Sequence, residues 1–193
     1  MLEKVSKKIT LWLIKSGLLK DASIDLYSYA IQYLLLIIIP TINFTAYCIA
    51  TRQILIGLIE IFTFLLIRKY SGGYHCESSS VCLVFSTIIL ILISWIAAHL
   101  KSDFLFKFLL LLADMELCIK GPVISINHEV SETERKHFHK KLIGIIILLN
   151  FIILLLWAFK MTHVFNCISI VILFCSISHV ACTIGKNKEL YYK

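Results

Sequence analysis

Long apolar runs constrain this chain more than any other feature. They lie at roughly 27–48, 53–67, 81–99, 104–119, 142–159 and 164–184. About 20 residues of α-helix cross the hydrocarbon core of a bilayer, and each run approaches that length, the second and fourth falling short of it. Of the 193 residues 59% are hydrophobic and 16% charged, more apolar surface than one small soluble core can hide. The runs are continuous rather than alternating, which argues against a β-barrel. The expected fold is all-α: a polytopic membrane protein with about six transmembrane helices, forming a single domain over 1–193. Residues 1–20 add a basic amphipathic helix at the membrane surface. Leu2, Val5, Ile9, Trp12 and Leu19 share one side of it, with Lys4, Lys7, Lys8 and Lys15 on the other. Lysines interrupt this segment, so it lacks the apolar stretch of a cleavable signal peptide.

The net charge is +7, which in a soluble protein would suggest nucleic acid. Here the positive residues cluster between apolar runs. They read as topology signals and contacts to anionic lipid, so the bilayer is the expected partner and nucleic acid is not. With six spans both termini share a side. That side holds every lysine and arginine except Arg52, Lys101, Lys107 and Lys160, which predicts cytoplasmic termini. Pro40 is expected to kink the first span. Ser131 followed by Glu134 is a capping-box pattern, predicting a helix that starts there and continues into the fifth span. Glu60 and Lys107 lie within spans and are expected to face inward, each the other's candidate partner. His179 is expected to be a satisfied interior donor. Cys167, Cys175 and Cys182, with Ser169, Ser176 and Ser178, read as small packing residues between helices.

One polar island breaks the pattern, Arg68 to Cys82. It combines a histidine with cysteines, the side chains that ionise nearest neutral pH. A thiolate is the reactive form of cysteine, and an imidazole can generate it. His75 and Cys82 are seven residues apart, about 10.5 Å along an unbroken helix, so the chain must turn to bring them together. Gly72 and Gly73 permit such a turn, and Ser78, Ser79 and Ser80 offer helix caps. If the third span begins there, Cys82 sits in its first turn, where the helix dipole favours an anion and the amide groups suit an oxyanion. Arg68 supplies a fixed cation nearby. Cys76 adjoins His75, but neighbouring side chains on an extended segment point apart. Spacing alone leaves two readings open: a cysteine-nucleophile site, or a plain loop with an exposed histidine. His128-Glu129 begins a zinc-protease pattern without its second histidine, and His137 and His139 read as solvated loop residues, so no metal or cofactor is expected. A small transporter or peptide exporter, with 71–80 as a re-entrant gate, is the alternative from another class, and a non-catalytic membrane scaffold is a third.

The string Arg68-Lys69-Tyr70-Ser71-Gly72-Gly73-Tyr74-His75, followed by Cys82, resembles the signature of the accessory gene regulator B (AgrB) family. The resemblance extends to Gly121-Pro122-Val123, Asn127, Glu132 and Arg135. The family consists of bacterial membrane endopeptidases that process quorum-sensing peptide precursors. The resemblance implies that His75 and Cys82 are catalytic and that Arg68 and Gly73 are needed for activity. Gly72 and Ser78 would support the site. It further implies a propeptide substrate, a thioester on Cys82, a homodimer, and a bacterial cell membrane location with the active site cytoplasmic. Glu77 and Asp114 are candidates for orienting His75.

Overall fold

The computed structural model describes residues 2–19, 23–73, 78–101, 103–123 and 131–191, with side chains described as far as Ile184. Among the described residues the structure is helical throughout: α1 (Leu2–Lys15), α2 (Ile24–Ala50), α3 (Ile54–Ser71), α4 (Ser79–His99), α5 (Phe104–Lys120), α6 (Glu132–Ala158) and α7 (Thr162–Tyr191). Helices α2, α4, α6 and the Thr162–Ile184 part of α7 are long and apolar enough to cross a membrane. Helices α3 and α5 are the short runs, of 18 and 17 residues. At 1.5 Å per residue they reach about 27 and 26 Å, close to the ~30 Å hydrocarbon thickness. The chain is therefore a polytopic helical membrane protein.

The core forms around α7, which packs on α3, α4, α5 and α6. Its turns from Phe165 to Ile172 are buried on every side. A helix buried all round and predominantly apolar belongs at the centre of a bundle. Cys167, Ser169, Cys175 and Ser176 are buried there, and their small size lets neighbouring helices approach. Ile67, Leu117, Leu142 and Ile172 complete the interior from four helices. The outer faces carry exposed Phe62, Val84, Phe104 and Phe151, as lipid contact requires.

Several local expectations hold and others need correction. The break between the first two spans is a tight turn. Arg52 takes a positive φ of 57°, and Gly57 lets α3 approach Cys48 so closely that a Cβ would strike its sulfur. Helix α2 runs uninterrupted through Pro40, whose missing N–H leaves Leu36 O without its usual donor. Thr41 Oγ1 donates to Ile37 O at 2.7 Å beside that gap. Helix α1 packs on α2, burying Leu2, Ser6 and Thr10, with Ser6 Oγ 3.0 Å from Ser28 Oγ. Val5, Leu11 and Trp12 stay exposed, available to the membrane interface. Glu60 and Lys107 do not pair. Glu60 is fully buried beside Cys167, whose sulfur lies 3.9 Å from Oε2, while the Lys107 ammonium sits 5.3 Å from the Trp157 ring centroid. The cause is helix placement: α5 packs mainly against α7 and α6 rather than α3, and Lys107 is exposed instead of facing inward.

The fifth run starts as its capping box predicts. Ser131 Oγ accepts from Glu134 N, and Glu134 Oε2 accepts from Ser131 N at 3.0 Å. Helix α6 thus begins ten residues ahead of the apolar run, at Glu132. Ser131→Ala removes both bonds of the hydroxyl, from Glu134 N and to Glu134 Oε2, and should weaken the first turn of α6 by about 1 kcal/mol. Faster amide hydrogen exchange confined to residues 132–136 would register that loss.

Candidate functional site

The last turn of α3 carries Arg68 and Ser71, and the helix stops because Gly72 takes a positive φ of 69°. Gly72 N closes the helix by donating to Arg68 O at 3.1 Å. Gly73 follows at φ 143°, so consecutive residues hold backbone angles that L side chains rarely adopt. Arg68 folds back under this turn. Its Nη1 donates to Ser178 Oγ on α7 at 2.8 Å and to Gly72 O at 3.3 Å. A Cβ on Gly73 would overlap the guanidinium, so the glycine is what lets the backbone lie on the cation.

A second loop braces the first. Helix α5 ends at Gly121, with φ 67°, and Pro122 is buried behind it. Val123 N donates to Ser71 O at 2.9 Å, and a Cβ on Gly72 would run into the Val123 carbonyl. The bracing loop is held in turn from α7 and α6. His179 is 1% exposed, and its Nε2 lies 2.7 Å from Gly121 O while Nδ1 lies 2.7 Å from Glu116 Oε1. Ser176 Oγ donates to Glu116 Oε2 at 2.9 Å. From α6, His139 Nε2 lies 2.7 Å from Cys118 O, Phe138 meets Tyr70 edge-on, and the Lys141 ammonium lies 5.7 Å from the Tyr70 ring centroid.

Helix α4 begins on the far side of the island. Ser78 is its N-cap in extended conformation, without a side-chain capping bond, and Cys82 N makes the first helical bond to Ser78 O at 3.0 Å. Cys82 therefore lies in the opening turn, as expected. It is a half-buried free thiol, whereas Cys48, Cys167 and Cys175 are buried. Gln32 of α2 steadies this turn by donating to Ser79 Oγ. The ends of α3 and α5 thus meet through the Val123 N–Ser71 O bond beside Arg68, Gly72 and Gly73, and α4, with Cys82 in its first turn, is the next helix in the chain.

Tyr74, His75, Cys76 and Glu77 lie outside the described residues, as do Asn127, His128 and Glu129. Asp114 is buried on α5 beside Asn150 of α6. His137 and His139 are helical rather than loop residues, and His139 is a tether between α6 and α5, not a solvated side chain. His179 is the satisfied interior group that was expected. Glu116, Ser176 and Ser178 were not anticipated as polar partners. The available signal was an acid inside an apolar run and serines flanking a histidine in another.

The AgrB model, described as accessory gene regulator B, matches residues 6–179. AgrB-like protein 2 of Clostridium perfringens (strain 13 / Type A) is 32% identical over 107 residues, which cover 55% of this chain and 49% of that protein. An AgrB-like protein of Clostridium perfringens (strain SM101 / Type A) is 47% identical over 51 residues, covering 26% of this chain and 22% of the relative. The chain thus spans about half, or less, of the curated relatives it matches. No solved structure gives a significant match. With the family model covering most of its length, including the glycine turn and the head of α4, the chain belongs to the accessory gene regulator B family.

Proposed function

We propose that this protein is a membrane cysteine endopeptidase that processes a quorum-sensing propeptide, with Cys82 as nucleophile and His75 as its proton partner. Family membership supports the propeptide as substrate. The observation that carries the chemistry is Cys82 as a half-buried free thiol in the first turn of α4, the helix that follows the Arg68–Gly73 turn in the chain. A helix start favours negative charge on sulfur and presents amide groups to a developing oxyanion. Arg68 offers a cation, while Gly72, Gly73 and Ser78 shape the backbone around the site.

The sulfur of Cys82 attacks a peptide carbonyl carbon toward the C-terminal end of the precursor. The C–S bond forms as the C–N bond breaks, and His75 delivers the proton to the leaving nitrogen. The resulting thioester keeps the acyl group activated. A thiol or hydroxyl within the peptide then attacks it, freeing Cys82 and closing a thiolactone or lactone ring. Ring closure outruns hydrolysis when the bound peptide holds its nucleophile close and water is excluded. The enzyme works as a homodimer in the bacterial cell membrane, with both termini and the active site in the cytoplasm. The charge distribution along the chain supports that orientation.

The thioester gives a direct test. A precursor whose internal nucleophile is replaced by alanine cannot cyclise, so its N-terminal fragment should accumulate on Cys82. Intact-protein mass spectrometry should detect the added fragment, and hydroxylamine should release it. Cleavage without an adduct, at a rate that iodoacetamide leaves unchanged, would remove covalent catalysis.

A further inference from the structure

A chain of contacts that begins at the Glu116–His179 pair, the imidazole buried and the acid half-buried, ends on Arg68 and the glycine turn. We propose that Glu116 and His179 are positioning residues. Their pair locks the Gly121–Val123 loop, and through it the Ser71–Gly73 turn that ends α3. For its effect on turnover this rests on the peptidase reading; for its effect on the loops it does not.

Both nitrogens of His179 face acceptors, the Glu116 carboxylate and Gly121 O, each at 2.7 Å. Each ring nitrogen thus has an oxygen partner, one on α5 and one in the loop that follows it. Lys120 Nζ lies 3.8 Å from the same Glu116 oxygen, and Ser176 satisfies the other. Burying such groups costs desolvation that apolar side chains of similar volume would avoid. What the polar set adds is direction, since one strong bond is aimed at a single loop carbonyl. That carbonyl precedes Pro122 and Val123, and Val123 N holds Ser71 O at 2.9 Å. The residue next to His179 is Ser178, which holds Arg68. One turn of α7 thus grips both loops, one through His179 and one through Ser178. A merely space-filling role would need neither the two acceptors on the ring nor the matched serines.

The test uses the full chain in lipid vesicles, with Glu116→Gln, His179→Gln and the double variant. Hydrogen exchange is read at 71–73 and 121–123, and propeptide cleavage is followed in parallel. Each single variant should speed exchange in both loops about tenfold while Ile89–Ile93 of α4 stays protected. Turnover should fall about 10- to 100-fold with KM changed less than about threefold, the mark of lost alignment rather than lost binding. The double variant should be within about threefold of the worse single, because both remove one contact. Ser176→Ala, which deletes only a hydroxyl, should move exchange the same way by a smaller factor and decides the matter if the larger changes prevent insertion. Unchanged exchange in the loops overturns the proposal, as does equal loosening throughout the bundle. Cleavage that persists in Cys82→Ser would sink the peptidase reading instead, and the exchange result would still judge the clamp.

Discussion

Replacing Cys82 by serine should abolish propeptide cleavage, with a loss on the order of 10³-fold or more, while leaving the protein inserted and folded. The exchange of sulfur for oxygen removes the nucleophile but little volume. Cys82 is also outside the buried core, so the packing around α7 has no reason to respond. His75→Ala should fall nearly as far, because the sulfur loses its base and the leaving nitrogen its acid. Cys76→Ser is the internal control and should keep activity within about threefold, since Cys76 precedes α4 and cannot draw on the start of that helix as Cys82 does. Co-expression with the precursor, read as its conversion to the shortened product, separates these outcomes. Activity surviving in Cys82→Ser, or vanishing in Cys76→Ser, would assign the wrong sulfur or the wrong reaction.

Gly73→Ala should cost the next largest effect, about 10- to 100-fold in turnover. Two physical terms act together. At φ 143° an alanine is strained, by about 1–3 kcal/mol. Its methyl would also overlap the Arg68 guanidinium, and the flexible end of that side chain is what gives way. The arginine would leave Ser178 and Gly72 O, so the substitution transmits to the cation without altering it. Gly144→Ala on α6 has open space around it and an ordinary helical backbone, and should change nothing beyond a slight gain in stability. Gly73→Ala with full turnover, measured beside that control, would mean that the close approach of backbone and guanidinium is not used.

Much of this molecule was legible in its residues. The apolar runs gave the helices because hydrophobicity is a local property that adds along a segment. The Ser131–Glu134 box fixed the start of α6 because both partners lie within one turn. The glycine turn and the position of Cys82 at the head of α4 followed from short-range backbone chemistry in the same way. Polar pairing was less readable. Glu60 and Lys107 share the property of being charged within a span, yet their helices turn those side chains toward different neighbours.

What the chain decided by itself is therefore its helical membrane architecture, its glycine turn and its cysteine at a helix start. Tertiary structure alone decided that Arg68 would meet Ser178, 110 residues away, and that Glu116 would meet His179, 63 residues away. A hydrogen bond depends on direction and on a few tenths of an ångström, and these are set only when helices pack with one particular rotation and tilt.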